Sequence, residues 1–458
     1  MNSALTKGAL AAAVAIAASA CSQHAQYDAA QQAGANPPLP QSRNFLAPPM
    51  EVPKYVGWRN GATPKVAAGL KIEKIASGLV HPRQVYTLPN GDILVAESNS
   101  PNEEAVTTPK QLIAGLITER SGKKAKGANR ITLLRKRGNT GEWDKFVFID
   151  GLHSPFGMQL VGNTLYVADT DAILSFPYHA GETHIDSPGV ELTDLPDTVN
   201  HHWTKALLAS PDGKKLFVGV GSNSNVGENG LEVEYRRANV LEVDIATGGS
   251  RIYAAGIRNP TGLQWEPKTG KLWAIANERD EIGADLVPDY LTSVHEGGFY
   301  GWPYSYYGQH VDRRAQPQRP DLVAKAIPPD YAIGSHVAPL GFVFSTGDSL
   351  PPAYRGGAFV GEHGSWDRSP ISGYSVVYVP FANGTPSGPP QPVVTGFVSD
   401  DAKSSYGAPV GVAQDRSGAL IIADDVGNAV WRVTAATSNT ASAANAAPAP
   451  ATAGATHG

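Results

Sequence analysis

The sequence predicts an all-β protein, a six-bladed β-propeller of four-stranded antiparallel blades. Three observations carry this. One hairpin unit recurs six times, turn-forming Gly and Pro number 49 and 36 in 458 residues, and most copies run on into a further β-rich stretch.

The copies follow in chain order. VYTLPNGDILVAES (Val85–Ser98) pairs two β-prone runs across Asn90-Gly91, and MQLVGNTLYVADTD (Met158–Asp171) turns at Gly162-Asn163. ALLASPDGKKLFVGVGS (Ala206–Ser222) and LQWEPKTGKLWAIANE (Leu263–Glu278) turn at Asp212-Gly213 and Thr269-Gly270. The fifth copy, Leu340–Gly364, has a longer turn, and the sixth, Val410–Asp425, turns around Ser417-Gly418. Further strands follow in Ala172–Tyr178 and Ala238–Ile245, and the last copy runs into NAVWRV. A hairpin cannot bury both of its faces alone, so radial repetition of four-stranded sheets is the economical solution. A pair of β-sandwiches is the rival, but it does not predict six copies of one hairpin. The insertions Pro101–Arg130 and His310–Gly334 elaborate loops, where function concentrates.

The flanks differ in composition. Met1–Lys7 is weakly positive, Gly8–Ala17 is apolar but too short to span a bilayer, and Ala18-Ser19-Ala20 precedes Cys21. The expectation is a lipoprotein signal over 1–21 with Cys21 acylated, or otherwise a secretory signal cut near Ala20. Either exports the chain to the periplasm or cell envelope. Residues 22–53, rich in Gln, Ala and Pro, read as a flexible tether, 54–434 as the propeller, and 435–458 as a disordered tail. With Cys21 the only cysteine, disulfides, four-Cys zinc sites and c-type haem attachment are excluded. A formal charge of −5 and no basic run with interleaved aromatics argue against nucleic acid.

Five segments just before or after the hairpins carry candidate chemistry. His201-His202-Trp203-Thr204-Lys205 offers a histidine able to take a proton near neutral pH, or merely a surface imidazole. Arg258-Asn259-Pro260-Thr261 offers a guanidinium fork and an amide for carboxylates or carbonyls, or caps a turn. Asn277-Glu278-Arg279-Asp280 is an acid- and carbonyl-rich turn suited to a hard cation, though without the EF-hand pattern. Gly297-Gly298-Phe299-Tyr300-Gly301-Trp302-Pro303 can stack on a planar ring or a sugar, or simply pack. Gly361-Glu362-His363-Gly364-Ser365-Trp366-Asp367-Arg368 closes the fifth hairpin with polar groups.

In this order and spacing, from about Gly78 to Val433, these segments resemble the pyrroloquinoline-quinone (PQQ)-dependent glucose/sorbosone dehydrogenase family, nearest its L-sorbosone branch. GIRNPTGLQW, NERDEIGADLVPDY and GGFYGWP are the most specific stretches. The resemblance implies oxidation of an aldose sugar or sugar aldehyde with PQQ and Ca²⁺ as cofactors. His202 matches the family's base, which takes the C1 hydroxyl proton as hydride passes to the quinone. Arg258, Asn259 and Thr261 fall at quinone-contacting positions, and Trp366 and Arg368 are further cofactor-side candidates. The Glu278 and Arg279 main-chain carbonyls match the Ca²⁺ ligands. The chain departs from the glucose branch at Ser222, at Tyr406–Val410 and at Ser365–Trp366, and Glu278-Arg279 stands where that branch has Gly-Pro. Arg368, Arg83 or Lys403 would then meet the quinone's carboxylates. Electrons would pass to a separate cytochrome or quinone. A Ca²⁺-dependent lactonase and a non-catalytic sugar- or protein-binding propeller are the alternatives.

Overall fold

The structure, a computed structural model, describes residues 24–43, 51–101, 121, 126–138, 140–198 and 201–436. The expected signal with Cys21, the tail beyond 436 and most of the 101–130 insertion lie outside the described residues.

Each of the six repeated hairpins is the inner pair of strands of one blade. Blade I is built from Pro82–Thr87, Ile93–Glu97, Arg130–Lys136 and Trp143–Ile149, paired antiparallel in that order. Blades II to V begin at the inner strands Gly157–Val161, Lys205–Ala209, Asn259–Trp265 and Pro339–Phe344, and blade VI at Pro409–Gln414.

The second strands read as nearly unbroken apolar runs (ILVAE, TLYVA, KLFVGV, LWAIAN, AFVGE, LIIAD) because both blade faces are covered. Alternate residues point to opposite neighbours. In blade I, Leu94 and Ala96 pack with Met158 and Leu165 of blade II, while Ile93 and Val95 pack with Ile421 and Val430 of blade VI. Six apolar clusters result, one at each blade interface. At the axis the blades come close enough to demand glycine. A Cβ on Gly157 would stand 2.5 Å from Lys205 O of blade III.

Closure involves partners far apart in sequence. Leu70–Ser77, from the N-terminal side, pairs with Ala429–Ala435 and completes blade VI. The ring thus ends on one sheet built from both ends of the domain.

The expected tether is a correction. Residues 24–43 are docked: Ala33–Gly34 adds a fifth strand to blade IV beside Ile333 and Ala332, and Gln32 is fully buried. Further on, Lys54–Tyr55 pairs with Ser404–Ser405, and the Trp58 indole donates to Asp424. Low hydrophobicity predicts a loose segment only where nothing offers it main-chain partners. Here a sheet edge and a buried carboxylate do.

Antiparallel pairing also explains where function can sit. The first residue of each inner strand lies opposite the last of the second, as in Pro82↔Glu97, Asn259↔Asn277 and Pro409↔Asp424. Segments entering the inner strands and segments leaving the second strands therefore meet at one mouth of the channel.

Candidate functional site

That mouth opens into a cavity of about 220 Å³ whose wall includes Arg83, His202, Arg258, Asn259, Trp366 and Asp367. The far end of the channel holds a second cavity of about 290 Å³, lined among the described residues by four glutamines but no Asp, Glu, His, Lys or Arg. The acidic and basic side chains gather at the first.

His202 precedes the inner strand of blade III. Its Nδ1 lies 3.0 Å from Ser222 O and 2.9 Å from Ser222 Oγ. The carbonyl can only accept, and the Ser222 hydroxyl gives its own proton to Ser224 O at 2.6 Å. Nδ1 must therefore carry hydrogen, which leaves the lone pair on Nε2. Burial, then the positive field of Arg258 and the neighbouring His201, hold the imidazole well below its usual 6.5. Ser222 thus does by tautomer control part of what an acid would do at that position.

Arg258 is 1% exposed and anchored on several sides. It donates from Nε to Asn225 O (3.2 Å), from Nη1 to Glu278 O (2.5 Å), and from Nη2 to Asn225 Oδ1 (3.0 Å) and Asp280 Oδ2 (2.8 Å). Beside it, Asn259 keeps a buried Oδ1 with no hydrogen-bond partner among the described residues. That oxygen packs against Gly221, while Asn259 itself lines the pit.

Behind Arg258 stand Asp280, His336 and Asp367. His336 Nε2 donates to Gly283 O at 3.0 Å, while Nδ1 faces Asp367 Oδ1 at 3.0 Å and Asp280 Oδ1 at 3.4 Å. A neutral ring would point three acceptors at one another. Although burial opposes charge, Asp367 and Asp280 push His336 up to about 10, toward the imidazolium, while burial lifts Asp367 itself to about 7. Against burial, Arg258 and His336 in turn hold Asp280 well below the usual carboxylate range. Deeper in the wall, burial lifts Glu278 to about 7 and Asp289 to about 6.

On the opposite wall, Asp425 forms an ion pair with Arg83 Nη1 (3.2 Å) and accepts from His81 Nδ1 (2.5 Å) and His363 Nε2 (2.9 Å). Arg83 also donates to Asn99 Oδ1 at 2.7 Å and sits 5.6 Å from the Trp203 ring centre. Two fixed guanidiniums, Arg83 and Arg258, therefore line one pit with the Trp366 indole. This set fits a planar, anionic, carbonyl-bearing group such as PQQ.

Several expected residues fall elsewhere. Thr261 is fully buried and gives its hydroxyl to Pro339 O at 2.7 Å, tying blade IV to blade V because its β-strand position points away from the pit. Arg368 is 2% exposed and donates to Ala284 O, Pro370 O and Tyr27 O, so it is spent on main chain. The Lys403 side chain is 83% exposed near Asp401. The GGFYGWP loop packs: the Tyr300 hydroxyl donates to Ser293 O and the Trp302 indole to Asn225 O. The Glu278 and Arg279 carbonyls do not fit a calcium ion, since Glu278 O faces the Arg258 guanidinium and Arg279 O accepts Val287 N–H. The cluster with converging ligand atoms among the described residues is Asp280, His336 and Asp367.

His336 was not legible as a site residue. It carries no motif, and only its place just ahead of an inner strand marks it, as for His202 and Arg258.

The comparisons agree with this architecture. The family pattern described as TrAA12-like matches residues 64–296 and 311–436. An uncharacterized protein of Borreliella burgdorferi is 28% identical over 293 residues, covering 62% of this chain and 76% of that one. A Hypocrea jecorina protein named pyrroloquinoline quinone-dependent sugar dehydrogenase is 21% identical over 416 residues, covering 79% and 87%. Among solved structures, the calcium structure of Trichoderma reesei carbohydrate-active enzymes family AA12 superposes with a TM-score of 0.66 at 20% identity, covering 86% of this chain and 99% of that one. The matched pattern spans nearly every blade, and the chain belongs to the TrAA12-like family.

Proposed function

We propose that the chain is a quinoprotein oxidoreductase, a PQQ-dependent dehydrogenase of aldose sugars or sorbosone-like sugar aldehydes. The observation that carries this is the meeting, in one pit, of an unprotonated His202 Nε2 with the Arg258–Asn259 pair, Arg83 and Trp366. The naming of the Hypocrea jecorina relative supports the same reading.

Arg83 and Arg258 would hold the quinone's anionic edge, and the Asn259 amide would meet a polar atom of it. When bound, PQQ supplies the two-electron sink for a hydride from the sugar's C1. His202 acts as general base: its Nε2 receives the C1 hydroxyl proton while Nδ1–H stays on Ser222. The Arg258 and His336 cations stabilise negative charge developing beside them without rearranging, since each is already fixed by hydrogen bonds. The resemblance also implies calcium. Its expected carbonyl ligands are engaged, and no step here runs through the ion.

In this reading the protein is an exported lipoprotein of the cell envelope that passes electrons to a separate acceptor. Three residues separate Cys21 from Ala25, four chain steps away, whose N–H donates to Ser369 O near the pit's rim. A lipid on Cys21 would hold that rim within about 14 Å of a bilayer.

The test is a PQQ titration followed by visible absorbance, then dye reduction with a panel of aldoses and sugar aldehydes, with and without added Ca²⁺. Retained quinone and turnover lost in His202→Ala, with absorbance kept, support the proposal. No retained quinone and no dye reduction would end it in favour of a binding propeller.

A further inference from the structure

The three groups behind Arg258 come from three separate segments, and the docked N-terminal stretch touches each of them. Asp280 opens the loop that contains Asp285. This carboxylate is 2% exposed; its Oδ2 accepts Gln26 N–H at 2.6 Å, and its main-chain carbonyl accepts Gln32 Nε2 at 2.7 Å. His336 directly follows the strand Tyr331–Ser335, whose outer edge pairs with Ala33–Gly34. Asp367 precedes Arg368-Ser369, where Arg368 Nη2 donates to Tyr27 O at 2.5 Å and Ser369 O accepts Ala25 N–H at 2.8 Å. Arg368 and Asp285 also lie 3.5 Å apart, so the two loops are joined through one buried ion pair.

We infer that residues 25–34 are a strap that positions the Asp280–His336–Asp367 group, and through it Arg258, with Asp285 as its central positioning residue. The inference rests on the pit being the functional site. The reasoning is geometric. Each of the three segments is a rim loop or strand end, and such ends fray unless tied down. Blades I to III shape their own rim with bonds from within the ring, as Ser98 Oγ does to Pro155 O. Blades IV and V use a stretch of chain from outside it. Asp285 touches nothing in the pit, yet it is the point where the strap, the Asp280 loop and Arg368 converge.

The strap's hold is main-chain in large part, so the informative variants remove donors. Gln26→Pro deletes the N–H that reaches Asp285, Gln32→Ala deletes the amide on its carbonyl, and Asp285→Asn keeps the shape but removes the charge. Hydrogen exchange on the full chain is measured in peptides covering 280–287, 331–337 and 366–370, with 96–101 and 168–172 as internal references. In the Gln26→Pro/Gln32→Ala protein, exchange rises about tenfold or more in the three strapped segments and stays unchanged in the references. Quinone affinity falls about tenfold in parallel, and a synthetic peptide of residues 24–43 restores both. Asp285→Asn gives the same pattern and serves if the double variant does not fold. Unchanged exchange in the three segments, or an equal rise in the references, overturns the strap. The exchange result stands or falls whether or not the intact chain retains PQQ, so the two ideas fail separately.

Discussion

Gly221 is the position at which the site is most exposed to a single carbon atom. It directly follows the second strand of blade III and lies between His202 and Asn259. Its backbone lies outside the left-handed region, so alanine is conformationally allowed and the effect of Gly221→Ala is steric. A Cβ there would stand 2.5 Å from Asn259 Oδ1 and closer still to His202 Cβ, whereas ordinary contact begins at 3.4 Å. Something must give by about 0.9 Å, and the neighbours on both sides are the proposed base and a proposed cofactor ligand. Overpacking of this kind costs about 1–3 kcal/mol of stability. Displacement of a reacting group by about 1 Å costs on the order of 10²-fold in rate, equivalent to about 2.7 kcal/mol of barrier. The expected outcome is a cooperatively folded protein whose PQQ-dependent dye reduction drops about a hundredfold and whose quinone affinity weakens. The assay pairs thermal unfolding with single-turnover dye reduction at saturating quinone. Turnover and affinity equal to the parent's would show that neither His202 nor Asn259 needs its place, and the site argument would collapse.

Three further outcomes follow from the same geometry. His202 works unprotonated and its pKa lies well below 6.5, through burial and then Arg258 and His201, so activity should hold at pH 6.5 and fall only as pH drops through that lowered value. An acid limb of kcat/KM centred at or above 6.5 would contradict this. Arg83→Gln should weaken quinone binding about tenfold or more, as expected for losing a charged hydrogen bond, while Lys403→Ala, with its side chain in solvent, should change nothing. Equal effects of the two in an absorbance titration would show that Arg83 does not face the quinone. Thr261→Val removes the bond to Pro339 O and should cost about 1 kcal/mol of stability at unchanged quinone affinity. A loss of affinity without loss of stability would return Thr261 to the pit.

The repeated hairpins were legible because each is local in sequence, and so was the clustering of His202, Arg258, Asn259 and Trp366 at hairpin ends. The second strands' apolar runs reflect sheets covered on both faces, as the six interface clusters show. Two of the misread side chains share one cause. Thr261 and Arg368 sit within motif distance of the site, but side-chain direction turns one toward a neighbouring strand and the other toward the docked N-terminal segment.

The sequence by itself determined the repeat, the blade number and the rim on which the candidate site residues collect, because hairpin pairing and alternation of side chains act over a few residues. Tertiary structure alone decided the rest. It put Leu70–Ser77 on Ala429–Ala435, docked residues 24–43 on two blades, placed His336 between two acids, and gave Glu278 O to Arg258. Those partners lie tens to hundreds of residues apart. Which buried donor meets which buried acceptor is settled only when the ring closes and water is removed from between them.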